Sequence, residues 1–423
     1  MPKVKIGLPM VTSPHWLTLD GWLLFATRGI RLFAYGLLSV ILVLYLAEVG
    51  LSNAEIGLLL TLTLLGDTAI SLEITTTADR IGRRKMLILG ALLMVFAGVL
   101  FASSGNFLVL LLAATIGVIS PSGNEVGPFL SIEQAALSQI VSKERRTTVF
   151  AAYNLVGSFA TALGALCGGV GLQWLQDSGV SGVAAYRPLV IVYGAIGFLL
   201  AIGFALVSKA VEFAATADSA PPTVKARFGL HRSQRTVLRL SALFALDAFG
   251  GGFIIQSIIA YWFHLKFGLE PAALGGIFLG ANILAGISAL AAGWLAKRIG
   301  LINTMVFTHL PSNVLLMLVP LMPTAPLAVA VLLLRFSISQ MDVPARQSYT
   351  MAVVSPDERS AASGVTAVAR SIGASISPLL ATSLVGVASL ASLPFLLAGG
   401  TKVLYDLLLY RSFRAVRPPE ELK

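Results

Sequence analysis

Apolar residues in this chain run in long blocks, separated by short polar clusters at nearly regular intervals. A bilayer core about 30 Å thick is crossed by about 20 apolar residues in a helix. On that rule the pattern predicts spans over 22–48, 53–77, 85–104, 107–140, 147–174, 186–208, 239–264, 272–296, 302–322, 326–353, 360–384 and 387–410. The clusters between them are short except for 208–238, which holds Ala220, Pro221 and Pro222 and then Lys225, Arg227, Arg232 and Arg235. The predicted organisation is an N-terminal six-helix bundle over 1–207, a cytoplasmic linker over 208–238 and a C-terminal six-helix bundle with a short tail over 239–423. Arg232–Arg239 reads either as a helix lying on the inner leaflet, where basic residues favour anionic lipid, or as solvated linker. Trp16 and Trp22 suit an interfacial anchor.

The pattern also repeats. Ala78, Asp79, Arg80, Ile81, Gly82, Arg83, Arg84 and Lys85 lie between two apolar runs, and so do Ala296, Lys297, Arg298, Ile299 and Gly300. The register between them is 218 residues, and residues 50–82 match 268–300 at 9 of 33 positions. A chain that repeats at half its length, with a basic loop in each half, reads as two similar membrane bundles.

Composition agrees. Apolar residues make up 56% of the chain, charged residues 12%, and mean hydropathy is +0.86; soluble domains carry roughly a quarter charged residues. The net charge of +10 does not point to nucleic acid, because the basic residues sit in loops between spans. Twenty-two Lys and Arg fall in the two tails and in loops after even-numbered spans, against two in the opposite loops. That bias predicts both termini in the cytoplasm of a multi-pass inner or plasma membrane protein. The first apolar run is too long for a cleaved signal core. A single cysteine, Cys167, and four histidines leave no disulfide and argue against a metal centre. No nucleotide loop and no nucleophile–base pattern appears, so no catalytic residue and no cofactor is expected.

The loop after span 2 resembles the signature loop of the major facilitator superfamily, which reads roughly Gly-x-Leu-Ala-Asp-Arg-x-Gly-Arg-Arg. Ala78, Asp79, Arg80, Gly82, Arg83 and Arg84 fit it, with Thr75 where the leading glycine is expected. Gly293, Leu295, Ala296, Arg298 and Gly300 fit in the second copy, where Lys297 replaces the acid. The resemblance covers essentially the whole chain. It implies an all-α membrane fold of two six-helix bundles related by a pseudo-two-fold axis, around a central cavity lined by spans 1, 4, 7 and 10. It further implies that Asp79, Arg80, Gly82, Arg83, Arg84, Arg298 and Gly300 form a gating motif that latches the cytoplasmic side. The alternative is a plain topology determinant. A proline-containing glycine motif on span 5 accompanies antiporters of this family; Gly164–Gly169 lacks the proline, which leaves direction open.

Ionisable groups inside a bilayer are costly, and those retained usually face the interior and act. The candidate substrate and proton sites are therefore Arg31, Asp67, Glu125, Glu133, Asp247, Asp342, Arg346 and Arg370. Arg31 suits an anionic substrate or an acid partner, with interfacial snorkelling as the alternative; Arg28 is read as snorkelling. Span 4 is the most irregular, with Pro121, Gly123, Gly127 and Pro128 around Glu125. Broken helices beside an acid recur at transporter binding sites, and a carboxyl that trades charge for a proton suits a carrier. The alternative is a proline kink with Glu125 in a fixed salt bridge. Asp342 and Arg346 are four residues apart, hence on one face; so are Lys402 and Asp406, read as a structural pair. His309, with Asn313 near it, is read as a hydrogen-bonded interior histidine.

These readings give a secondary transporter of a small polar or charged organic molecule, working as a monomer by alternating access and driven by an ion gradient, H+. Proton-coupled efflux is preferred. The alternatives are proton-coupled uptake of an organic anion, and a non-transporting receptor on the same fold. The partners expected are the substrate and the lipid bilayer.

Overall fold

The computed structural model describes residues 17–142, 145–212, 230–355 and 358–416. The Trp16 anchor, the middle of the linker and the end of the C-terminal tail lie outside the described residues. Within them every regular element is helical. The first half comprises α1 (Leu19–Glu48), α2 (Asn53–Ile81), α3 (Arg83–Ser103), α4 (Phe107–Ile116), α5 (Phe129–Ile140), α6 (Arg146–Asp177) and α7 (Val183–Leu206). The second comprises α8 (Gln234–Gly252), α9 (Gln256–Phe267), α10 (Pro271–Ile299), α11 (Leu301–Leu318), α12 (Ala325–Phe336), α13 (Asp342–Ala352), α14 (Arg359–Val385) and α15 (Leu393–Phe413).

Ten stretches among the described residues are long and apolar enough to cross a membrane, counting α8 and α9 as one. Span 4, expected to break around Glu125, is the helix pair α4 and α5, and span 10, expected as one run, is the pair α12 and α13. Span 7 is broken at Phe253–Ile255. Arg235 and Arg239 belong to the first turns of α8, so the Arg232–Arg239 stretch leads straight into the span and is no separate surface helix.

The sequence repeat is also a geometric repeat. Gly82 ends α2 with φ 119°, and Gly300 ends α10 with φ 85°. An L side chain disfavours both, so each copy of the basic loop turns on its glycine. Small residues set the helix spacing in the same way in both halves. A methyl group built on Gly36 or Gly164 overlaps the backbone oxygen of Thr161 or Phe33, which seats α1 directly on α6. Gly252 and Gly373 meet the backbone oxygens of Ala374 and Ala245, which seats α8 on α14. Without a hydrophobic force between helices in lipid, this backbone approach supplies much of the packing.

The halves meet at the end opposite the basic loops. Gly57 packs on Leu379 and Thr382, Gly169 on Pro271 and Gly275, and the Tyr261 hydroxyl donates to Asn53 Oδ1 at 3.3 Å. Further in, Gln256 Nε2 donates to Ser39 Oγ at 2.7 Å, and the Ser257 N–H donates to the Pro121 oxygen at 3.2 Å. At the basic-loop end no hydrogen bond or ion pair joins the halves among the described residues.

Candidate functional site

The break in span 4 positions the first site. Residues 117–128 are non-helical, because Pro121 and Pro128 remove backbone donors and Gly123 and Gly127 take positive φ. Irregular backbone at membrane depth needs partners from the protein, and four helices supply them. Tyr193 of α7 donates to the Val118 oxygen at 2.6 Å, Tyr35 of α1 to the Val126 oxygen at 3.3 Å, and Thr161 of α6 to the Gly123 oxygen at 3.3 Å. Asp67 of α2 accepts the Gly127 N–H at 2.6 Å. The segment is therefore held open in one shape, and it presents Glu125 to α1.

There Glu125 takes two arginines. Arg28 NH1 lies 2.7 Å from Oε2 and Arg31 Nε 2.9 Å from Oε1. Arg31 reaches on to Glu133 of α5 with a two-pronged pair, both bonds 2.7 Å, and neither side chain is accessible to solvent. Tyr153 donates to Glu133, and the Phe129 ring lies 4.4 Å from the Arg31 guanidinium carbon. Arg28 also donates to the Tyr153 oxygen at 2.8 Å and to Asn154 at 3.3 Å. Arg28 is therefore an interior residue rather than a snorkelling one, and Glu125 sits in the salt bridge that was the alternative reading for it. Two forked charges and two carboxylates balance, with every guanidinium nitrogen hydrogen-bonded.

Asp67 differs. It accepts from Gly127 and from Ser71 Oγ at 3.3 Å, and no cation lies within 4.0 Å among the described residues.

The second site lies in the other half, around Asp247 of α8. Its Oδ1 takes Lys402 Nζ of α15 at 2.6 Å; its Oδ2 takes Arg346 of α13 at 3.1 Å and Arg370 of α14 at 3.2 Å. Arg346 also pairs with Asp342 at 3.0 Å, as their spacing predicted. Lys402 and Asp406 do not form the expected pair. Lys402 turns to Asp247, while Asp406 accepts from Asn313 Nδ2 at 2.9 Å and faces His309 Nδ1 at 2.9 Å. Sequence reading missed Lys402, Asp406 and Tyr153 as site members; the signal available was their position inside apolar runs.

Among the described residues the first loop motif contacts its own bundle and the start of the linker. Arg83 binds Asp79 at 2.7 Å, Gln139 at 3.1 Å and the Val211 oxygen at 3.2 Å. Arg84 binds the Val207 oxygen at 3.2 Å, and Glu212 accepts the Arg83 N–H at 2.7 Å. Carboxylates favour a helix N-terminus, and Glu212 caps α3 accordingly. Arg80 is exposed, and Arg298 lies over the Trp294 ring at 3.9 Å.

A duplicated helical membrane scaffold, with ionic clusters buried on both sides of a central seam, defines a class: transporters rather than enzymes. The sequence signature described as Major Facilitator Superfamily matches residues 24–378, and the chain belongs to that family. An uncharacterized membrane protein of Saccharomyces cerevisiae is 28% identical over 421 residues, 93% of this chain and 94% of its own. The quinolone resistance protein NorA of Staphylococcus aureus is 34% identical over 85 residues, 20% of this chain and 22% of NorA. Among solved structures, a bacterial homologue of the human lysosomal transporter Spinster, inward-facing and occupied, superposes with TM-score 0.72 at 17% identity over 93% of this chain and 96% of that one. A D-xylose–proton symporter does so with TM-score 0.71 at 14% identity over 92% and 97%. The structural likenesses concern the fold.

Proposed function

We propose that this transporter exports a polar or charged organic solute in exchange for protons, and that Asp67 takes up the proton. The observation that carries this reading is a contrast among the membrane carboxylates. Glu125, Glu133, Asp247 and Asp342 each have a guanidinium or ammonium nitrogen within 3.1 Å. Asp406 has a histidine. Asp67 has only one N–H and one hydroxyl. Without a counter-ion, a proton is the simplest neutraliser of its charge in a bilayer. Asp67 also holds Gly127, two residues from Glu125, so losing its charge slackens the segment that clamps α1. With the basic loops in the cytoplasm, the hydrogen bonds that join the halves among the described residues lie toward the outer end, which supports an inward-facing reading. The match to a drug-resistance protein supports export over uptake.

The test is reconstitution in liposomes with an imposed pH gradient and a solute panel, reading internal pH and solute together. Asp67→Asn is expected to lose gradient-driven movement while keeping solute–solute exchange. A gradient response retained in Asp67→Asn removes Asp67 as the carrier. Solute movement in the wild type without any pH change removes proton coupling.

A further inference from the structure

The cluster around Asp247 is not balanced. The cations Arg335, Arg346, Arg370 and Lys402 stand against the acids Asp247, Asp342 and Asp406, and Asp406 is already engaged by His309 and Asn313. Asp247 is shared by three cations and Asp342 is held by Arg346, so the surplus falls on Arg335. Arg335 is the next-to-last residue of α12, just before the break in span 10, and is 7% exposed. No carboxylate oxygen lies within 4.0 Å of it among the described residues, and its buried Nε has no hydrogen-bond partner. The Phe336 ring, 4.9 Å away, and the carbonyl end of its own helix ease the charge without filling its fork of donors. Four residues on, Ser339 Oγ is also buried without a partner. Both Arg335 and Arg370 lie within the electrostatic reach of Asp247 and Asp342. Arg370 keeps a 35% exposed side chain, with NH1 spent on Asp247 and the rest of its fork open.

We propose that Arg335, Arg370 and Ser339 form the binding site for an oxyanion group, carboxylate or phosphate, on an organic solute. A buried, unpaired guanidinium is among the costliest groups a membrane protein can keep, and a two-pronged oxyanion is its best complement. The exposed side of Arg370 is the entry, and Arg335 is the deep anchor. This deepens the transporter reading above, since the solute it names is the cargo, but binding itself can be measured without transport.

The full-length protein, purified in detergent, is titrated with succinate, benzoate and phenyl phosphate at constant ionic strength, with chloride as control, and thermal stability is followed. Saturable stabilisation by at least one probe and none by chloride is expected. Arg335→Gln should weaken that probe's half-saturation by about 30-fold or more, and Arg335→Lys should restore part of it. Arg370→Gln is the second variant, because Asp247 keeps Lys402 and Arg346 and the fold survives; it should weaken the same probe. The preference for carboxylate or phosphate probes identifies the group bound. The proposal is overturned if no probe stabilises the wild type, if chloride acts equally, or if both variants bind as the wild type does. Arg335-dependent binding without transport in liposomes refutes the transporter reading alone, while gradient-driven movement of neutral or cationic solutes with no anion binding refutes this site alone.

Discussion

The pair formed by Arg31 and Glu133 gives the sharpest stability prediction. Both side chains are fully buried and joined by two 2.7 Å bonds. Removing one partner of a buried pair costs about 3–5 kcal/mol, chiefly from the charge left behind, whereas replacing both with apolar groups is often neutral. Glu133→Leu leaves Arg31 with Glu125 at 2.9 Å, so its charge is still met and the cost falls at the lower end, about 3 kcal/mol. Arg31→Met leaves Glu133 with only the Tyr153 hydroxyl, and the cost rises to about 5 kcal/mol. In the double variant Glu125 keeps Arg28 at 2.7 Å, so no charge is stranded and the cost falls to about 2 kcal/mol or less. The assay is reversible unfolding of the four proteins in mixed micelles by SDS titration, followed by circular dichroism. A double variant whose loss equals the sum of the single losses within about 0.5 kcal/mol would refute the argument, since uncoupled sites add to that precision.

Two further outcomes follow from the packing and the caps. Glu358, at the start of α14, accepts the N–H groups of His231, Arg232 and Ser233. Burial raises its pKa, but these bonds, together with one to the Ser233 side chain, outweigh it and bring it down from 4.5 to about 2. The folded value lies below the unfolded one, so the stabilisation is full above about pH 4.5 and is lost as pH falls toward 2; Glu358→Gln should therefore flatten the melting temperature across that window. Gly164→Ala should lower stability by about 1–3 kcal/mol by forcing α6 off α1. Gly400→Ala, where nothing lies within 4 Å of the added methyl, should be neutral or slightly stabilising, and comparing the two melting curves checks the idea.

Much of the fold was legible because apolar run length is read directly against bilayer thickness, and because Gly82 and Gly300 repeat at a fixed register. The break around Glu125 was legible from its prolines, but its length was not. That length depends on Tyr35, Asp67, Thr161 and Tyr193 arriving from four other helices to take up the freed backbone. Pairs within one helix were half legible. Asp342 and Arg346 meet as their spacing suggests, while Lys402 and Asp406, equally spaced, each prefer a partner on another helix. Spacing along a helix says who can meet, and only the packing of neighbouring helices says who does. Arg28 was misread for that reason: its partners Glu125 and Asn154 lie roughly a hundred residues away.

The glycine seam at the end opposite the basic loops has a mechanical consequence. Gly57, Gly169 and Gly275 bring helices close together across the seam, so that an added methyl would meet main-chain atoms of Leu379, Pro271 and Ala165. At these glycine contacts there is little side chain to rearrange before the helices separate. Beside them lie polar clasps, Gln256 to Ser39 and Tyr261 to Asn53. Conservative changes at those four side chains therefore alter the strength of the joint at that end without remaking its glycine contacts.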